Sequence, residues 1–212
     1  MYFQRYKYPR TPHLSFSLGV SEDDLKLDRH KLFNNRQIVV TEKLDGENTS
    51  LYADGIHARS LDSSHHPSRA WVKALQASIC NDIPQGWRIC GENLYARHSI
   101  AYQNLTSYFY LFSIWNQANY CLNWSETQEW AKILGLEIPA VLYKGLWDEV
   151  KIKAIADNLD RDICEGFVVR TVEQFHYDDF AHNVAKWVRP NHVQTDEHWM
   201  YREVVPNLLR QQ

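Results

Sequence analysis

The stretch Thr41-Glu42-Lys43-Leu44-Asp45-Gly46-Glu47-Asn48 decides how we interpret this chain. It continues the apolar, β-branched run Ile38-Val39-Val40, which favours a strand, and its Asp-Gly step is a strong turn signal. Lys43 is therefore expected where a strand ends and the backbone folds back. A lysine fixed in a concave site becomes a nucleophile when neighbouring cations or desolvation lower its pKa. The competing interpretation is a solvated lysine in a surface hairpin, because short motifs often match by accident.

Bulk composition narrows the class of protein. The chain has 212 residues, of which 44% are apolar and 23% charged, and this suits one globular domain. Its formal net charge of −3 gives no global basic field, so nucleic-acid binding would depend on a local cluster of cations. The four cysteines form no C-x-x-C pair, which argues for reduced thiols and against a zinc site or disulfide scaffold. We see no signal peptide or membrane-length apolar run, and we expect a cytoplasmic protein with no membrane partner.

The apolar patterning predicts alternating groups of strands and helices. Residues 8–24 are expected to form an extended loop. Three helices are predicted by the spacing of apolar residues, over Ser68 to Cys80, Ser125 to Leu134 and Leu146 to Leu159. Strand-like runs lie at about 37–42, 49–53, 56–60, 87–93, 108–115, 138–143, 165–171 and 184–188. Strands in adjacent pairs with helices between them indicate an α+β fold of mainly antiparallel sheets, not a regular βαβ pattern.

Charged residues recur at the ends of the predicted strands. Arg59 ends the run that begins at His57, and Glu92 follows Gly91 at the end of another apolar run. Glu165 precedes an apolar strand, and Lys186 lies within the last one. Each of these residues alone has an ordinary explanation as a solvated surface charge. Their order along the chain, together with the aromatic strand Tyr110-Leu111-Phe112-Ser113-Ile114-Trp115, is more informative than any one of them.

In this order the residues resemble the covalent nucleotidyltransferase superfamily, which includes ATP-dependent RNA and DNA ligases and mRNA capping enzymes. The six matching motifs are Lys43-Leu44-Asp45-Gly46, Arg59-Ser60, Gly91-Glu92, Phe112-Ser113-Ile114-Trp115, Glu165-Gly166-Phe167-Val168 and Ala185-Lys186-Trp187. They cover about residues 41–190, and six motifs in order argue against coincidence. The segments starting at Gly91 and Lys186 are most similar to the RNA ligase group of phage RNA ligase 2. The resemblance implies an ATP-grasp-like nucleotidyltransferase fold of mainly antiparallel sheets flanked by helices, without an oligonucleotide-binding barrel.

The same resemblance implies an ATP-dependent RNA ligase that joins 5′-phosphate and 3′-hydroxyl ends in RNA repair. Lys43 would attack the α-phosphate of ATP to form lysyl-AMP, with Mg²⁺ or Mn²⁺ as the metal. Such chemistry depends on positioning and on electrostatic stabilisation of the phosphoryl oxygens. AMP would next move to a 5′-phosphate end, and a 3′-hydroxyl would then displace it. A nicked duplex, a broken tRNA loop and single-stranded ends all stay open as substrates, and an end-healing enzyme is a candidate partner.

Further catalytic roles follow from the resemblance. Lys186 would lie beside the α-phosphate as a second catalytic lysine and would also depress the pKa of Lys43. Glu165 would hold the divalent metal, directly or through water, and so belongs to the ATP-binding set. Glu42 and Asp45 are candidates for contacting adenine and for orienting Lys43.

The remaining expected contacts concern the sugar, the base and the nucleic acid. Arg59 and Glu92 would contact the ribose, with Glu92 accepting hydrogen bonds from its hydroxyls. Either Phe112 or Trp115 would stack on adenine, whichever faces the pocket, since alternation along a strand puts them on different faces. Arg97 is a candidate for binding a nucleic-acid phosphate.

One departure from the family pattern concerns the last motif, which usually carries two lysines. Here only Lys186 is a lysine, so it either fills both roles alone or is assisted by a second cation from Arg170 or Arg189. Arg189 is also a candidate for binding a nucleic-acid phosphate. We expect residues 1–190 to form the adenylyltransferase domain and 191–212 to form a short helical tail packed on it, too short for a barrel. The alternatives are a DNA ligase, a capping-type nucleotidyltransferase, and a nucleotide-binding relative without turnover.

Overall fold

The β-branched run before the Lys-Leu-Asp-Gly step forms strand β1 (Gln37–Lys43), in which Ile38, Val39 and Val40 are fully buried. The computed structural model describes residues 4–20, 24–25, 32–62, 65–190 and 203–211. Nine further strands and three α-helices lie within those ranges. The strands are β2 (Glu47–Tyr52), β3 (Gly55–Ala58), β4 (Arg88–Asn93), β5 (Phe109–Trp115), β6 (Tyr120–Cys121), β7 (Val141–Leu146), β8 (Gly166–Thr171), β9 (Phe175–His176) and β10 (Val184–Val188). The helices are α1 (Ala70–Ile79), α2 (Trp124–Ile133) and α3 (Glu149–Asn158).

A four-stranded antiparallel sheet carries β1 in its interior, in the order β10-β8-β1-β7. One face of this sheet packs on α3, where Ile38 and Phe167 meet Ile152 of the helix in a buried cluster. The burial of these apolar side chains stabilises the sheet and leaves its other face to form a wall of the site described below.

A six-stranded antiparallel sheet has the order β3-β2-β4-β5-β6-β9. Its apolar core, which includes Leu51, Ile89 and Leu111, is covered by α1 and α2 through residues such as Val72 and Ala131. Helix α2 begins with a capping box, in which Asn123 and Glu126 each accept a hydrogen bond from the other's backbone N–H.

The turn 44–46 joins the two sheets, because β1 ends in the first and β2 begins in the second. A separate apolar cluster, which includes Trp115, Phe175 and Val184, contains residues of both sheets. The two sheets therefore enclose a space that opens beside Lys43.

The predicted fold class is confirmed: the described residues form an α+β fold of mainly antiparallel sheets flanked by helices, with no closed barrel among them. No helix in the described ranges is long and apolar enough to cross a membrane.

The predicted helical tail is wrong for residues 203–211, which form no helix, whereas residues 191–202 lie outside the described ranges. Pro206 has no backbone N–H to donate within a helix, and it forms a bridge to Ala96. The next residue, Asn207, is 1% exposed; its side-chain amide donates to the Leu94 carbonyl and accepts from the Tyr102 N–H. These hydrogen bonds join the segment to a distant loop and take the place of those of a helix.

Candidate active site

Lys43 lies at the last position of β1, opposite Gly166 on β8, and its Nζ contacts the carboxylate of Glu165. Glu165 is 6% exposed, so this is a largely buried ion pair. The approach of β10 to β8 requires a glycine at position 166, because a Cβ there would lie 2.1 Å from the Trp187 carbonyl oxygen. The Glu-Gly pair of the sequence thus brings the carboxylate beside the lysine.

The charge of Lys43 follows from its neighbours. Burial lowers the pKa of Lys43, but the carboxylates of Glu165, Glu92 and Asp45 raise it, and the net direction is upward. The sequence-based expectation of a depressed pKa is therefore not met in this state. The lysine is an ammonium until the charge of these carboxylates is offset.

The pKa of the Glu92 carboxyl group is also shifted by its surroundings. The pKa of this carboxyl group is raised to about 8: burial is the main cause, Lys43 lowers the pKa, and the nearby charges of Glu165 and Asp45 raise it. The carboxylate Oε1 accepts a hydrogen bond of 3.2 Å from the Gly46 N–H, so it also holds the turn after Lys43. Three carboxyl groups therefore lie around one lysine, and burial favours the protonated form of one of them, Glu92.

Asp45 fixes the same turn from its other side. Its Oδ2 accepts hydrogen bonds from the Ser99 N–H and hydroxyl, each at 2.7 Å, and from the Ile100 N–H at 2.8 Å. The Asp45 N–H donates to the Tyr102 hydroxyl at 2.9 Å. The turn is therefore clamped to the loop that follows β4, which supports the predicted orienting role of Asp45.

A cavity of about 900 Å³ lies between the two sheets, and it is large enough for a nucleotide. Of the predicted site residues, those on its wall are Glu42, Lys43, Arg59, Glu92, Phe112 and Lys186. Glu165 adjoins it through the contact with Lys43. Arg97 and Arg189 do not line it.

The aromatic strand β5 presents one of its two candidate rings to the cavity. Phe112 is partly exposed and lines the wall, as does Val168 of β8, and both belong to the same apolar cluster. Trp115 is fully buried, and its Nε1–H donates to the Ser113 hydroxyl at 3.1 Å. Of the pair, Phe112 is the ring that lines the cavity.

Lys186 projects from β10 into the cavity, with its Nζ 3.7 Å from Asp24 Oδ1. Burial lowers the pKa of Lys186, as do the positive charges of Lys43 and Arg59, whereas Asp24 and Glu165 raise it; the net direction is downward. Two lysines thus face one cavity from neighbouring parts of the same sheet.

The two candidates for a second cation beside Lys186 both donate hydrogen bonds to backbone carbonyl groups. Arg170 is 5% exposed at the cavity wall, and its Nη2–H donates to the Leu122 carbonyl at 2.7 Å. Arg189 is 8% exposed, and its Nη1–H donates to the Arg161 carbonyl at 2.7 Å. Arg97 is exposed on the loop after β4. The structure therefore gives Arg189 a backbone partner outside the cavity.

Glu42 lies between the cavity and a smaller recess that includes Tyr102 and Pro139. Burial raises the pKa of its carboxyl group, and a hydrogen bond with the Cys164 thiol lowers it, with a net upward direction. Its neighbour Lys43 points to the other face of β1, as alternation along a strand requires.

Sequence reasoning missed several residues of the cavity wall: Tyr8, Arg10, Asp24, Asn48 and His98. The prolines at positions 9 and 12 favour an extended backbone for the segment that contains Tyr8 and Arg10. Nothing in its sequence indicates that the segment contacts the site. The Tyr8 ring meets the Phe112 ring edge-on, with centroids 5.2 Å apart.

A divalent metal fits the donor set that the described residues offer. Glu165 and Glu92 supply hard oxygen ligands, and a bound cation would favour the ionised form of Glu92, whose pKa is raised mainly by burial. No group of three or more metal-binding side chains occurs among the described residues, so phosphate oxygens and water would complete the coordination.

Comparison with known proteins agrees with this architecture. A family model described as RNA ligase matches residues 36–188. An archaeal ATP-dependent RNA ligase shares the fold at 15% identity and a TM-score of 0.58, with 85% of this chain and 48% of that one covered. Naegleria gruberi RNA ligase with pyrophosphate matches at 19% identity and a TM-score of 0.55, covering 87% of this chain and 61% of that one. The chain thus spans about half to three fifths of these proteins. None of the curated proteins matches it.

Proposed function

Because the chain belongs to the RNA ligase family, we propose that it is an ATP-dependent RNA ligase that joins 5′-phosphate and 3′-hydroxyl ends through lysyl-AMP on Lys43. The observation that carries this proposal is the buried contact of Lys43 with Glu165 on the edge of a nucleotide-sized cavity. A mutant of Naegleria gruberi RNA ligase has been solved with ATP and manganese, which supports the same ligands for this chain.

In the first step the Nζ of Lys43 attacks the α-phosphorus of ATP. A phosphorus–nitrogen bond forms, and the bond between the α-phosphorus and the bridging oxygen breaks, so that pyrophosphate leaves with the electron pair. The amine must lose a proton, and Glu165 is the carboxylate in contact with it. Lys186 would stabilise the charge that grows on the α-phosphate oxygens.

The rest of the nucleotide is assigned to the walls beyond Lys43. Phe112 and Val168 offer apolar surface for the adenine ring, and Glu92 and Arg59 would contact the ribose or its neighbourhood. Glu42 lines the cavity, and its carboxyl group would contact the polar edge of the adenine ring. These contacts would hold the α-phosphate within reach of Lys43, which is where positioning contributes most to the rate.

The metal is assigned to Glu165 with Glu92. A Mg²⁺ or Mn²⁺ ion bound there would offset the carboxylate charge that keeps Lys43 protonated and would polarise the phosphate. The burial of Glu165 and the partial burial of Glu92 exclude much of the water that would otherwise screen these interactions.

The later steps need an RNA end at the cavity mouth. AMP would pass from Lys43 to a 5′-phosphate, and a 3′-hydroxyl would then attack that phosphate and release AMP. Arg97 is exposed on the loop held by Asp45, and we assign it to a substrate phosphate. A role in RNA repair within the cytoplasm, with an end-healing partner, is part of the proposal.

Incubation with labelled ATP and Mg²⁺ or Mn²⁺ tests the proposal. We expect a covalent AMP adduct on the wild-type protein, no adduct on Lys43→Ala, and a normal adduct on Lys144→Ala, which removes an exposed lysine of the same sheet. Labelling by GTP alone would instead indicate capping chemistry. The labelled protein should then seal RNA nicks in preference to DNA nicks, and no adduct with either metal would contradict the enzymatic function.

A further inference from the structure

The N-terminal segment runs along β10 at the position of Lys186. The Lys186 N–H donates to the Pro12 carbonyl at 2.9 Å, and the Lys186 carbonyl accepts from the Leu14 N–H at 2.8 Å. His13 lies between them and forms a parallel bridge with Lys186. Both outward-facing backbone groups of Lys186 are therefore held by this segment.

The His13 side chain is fully buried behind this bridge. Its Nδ1 lies 2.8 Å from the Ser17 Oγ, which itself accepts a hydrogen bond of 2.9 Å from the Val188 N–H. Because the Ser17 oxygen already accepts from Val188, its own proton is available to donate to Nδ1. The proton of a neutral imidazole would then be on Nε2, which lies 3.3 Å from Asp24 Oδ2.

Asp24 connects this buried imidazole to the site. Its other oxygen, Oδ1, lies 3.7 Å from the Nζ of Lys186, and its side chain is 26% exposed at the cavity wall. The positive groups of Lys43 and Arg59 act on Lys186, and the negative groups that act on it are Asp24 and Glu165. Asp24 is the carboxylate that forms an ion pair with the Lys186 ammonium.

We propose that Asp24, oriented by His13, is a positioning residue that holds the ammonium of Lys186 at the place where the α-phosphate is attacked. This inference rests on the proposed function. It explains how one lysine on β10 can serve where the family pattern has two, because Lys186 is fixed by both of its backbone groups and by a carboxylate. The same carboxylate repels the triphosphate, so it improves the rate at the expense of ATP affinity.

Asp24→Asn separates these two effects in single-turnover adduct formation measured against ATP concentration. We expect the maximal rate constant to fall about tenfold, because Lys186 is no longer held. The ATP concentration at half-maximal rate should fall about threefold, because a negative charge leaves the cavity. A merely structural role would reduce the folded fraction and would not tighten ATP binding. Asp54→Asn, which breaks the surface ion pair between Asp54 and Arg5 of the N-terminal segment, is the matched control and should change neither value.

His13→Gln tests the orienting link. A glutamine can accept from Ser17 and would place an N–H near the Asp24 carboxylate, so its rate should lie between those of the wild type and His13→Leu. The double variant His13→Gln/Asp24→Asn should be no slower than Asp24→Asn alone, because His13 acts through Asp24. Thermal unfolding of each variant shows whether the protein is folded.

The outcomes separate this inference from the proposed function. No adduct on the wild-type protein would overturn both. A normal wild-type adduct together with an unchanged maximal rate for Asp24→Asn would overturn the inference alone, as would additive losses in the double variant.

Discussion

Replacing Glu92 with glutamine should stabilise the protein at alkaline pH and leave its stability unchanged in acid. Burial raises the pKa of this carboxyl group from 4.5 to about 8, so the native state retains a proton that the unfolded chain releases. The free energy of unfolding should therefore fall as the pH rises from about 4.5 to about 8. Each pKa unit corresponds to about 1.4 kcal/mol, so the loss of unfolding free energy has an upper limit of about 5 kcal/mol. The side chain is partly exposed, and screening by solvent reduces the expected loss to roughly 2 kcal/mol.

Urea denaturation of the wild type and Glu92→Gln at pH 4.5, 6.5 and 8.5 measures this effect. Glutamine keeps the oxygen that accepts from the Gly46 N–H, so the substitution removes the charge and little else. We expect a stability difference near zero at pH 4.5 that grows to roughly 2 kcal/mol in favour of the variant at pH 8.5. A difference that is the same at all three pH values, or that favours the wild type at pH 8.5, would refute the electrostatic reasoning.

Three further predictions follow from the geometry. Gly166→Ala should lower the free energy of unfolding by more than ~2 kcal/mol in urea titration, because the new Cβ would meet the Trp187 carbonyl; an unchanged midpoint would contradict this. Phe112→Ala should weaken ATP binding about tenfold in titrations, with little loss of stability. Trp115→Ala should instead cost roughly 3–5 kcal/mol of stability, because Trp115 is fully buried. Equal effects of the two substitutions would count against the assignment of Phe112 to the adenine ring. Arg97→Ala should leave adduct formation with ATP intact and slow the sealing of RNA nicks, and a loss of the adduct would remove Arg97 from its assigned role.

The sequence predicted the parts of the fold that depend on local chemistry. The β-branched residues before Lys43 gave the strand, and Asp45-Gly46 gave the turn, because both signals act within a few residues. The helix from Ser68 to Cys80 was placed within two residues of α1, with its first turn formed as a 3-10 helix. The order of the motifs also indicated which charged residues would meet around one cavity.

The features of the fold and site that the sequence did not predict depend on contacts between distant parts of the chain. Nothing local to His13 or Asp24 indicates that they lie beside Lys186, since that contact arises from pairing over more than 160 positions. The tail was predicted as a helix from its apolar residues, but the buried amide of Asn207 binds the loop after β4 instead. The pKa of Lys43 was expected to be low, and it is raised because three carboxylates outweigh burial.

Mapping the site of adenylylation tests the central claim most directly. The protein is incubated with ATP and Mg²⁺ or Mn²⁺, digested, and its peptides are analysed by mass spectrometry. We predict one AMP on the peptide that contains Lys43, joined by a phosphorus–nitrogen bond that is labile in acid and stable in alkali. AMP on another residue such as Lys186, or no modified peptide with either metal, would contradict the account.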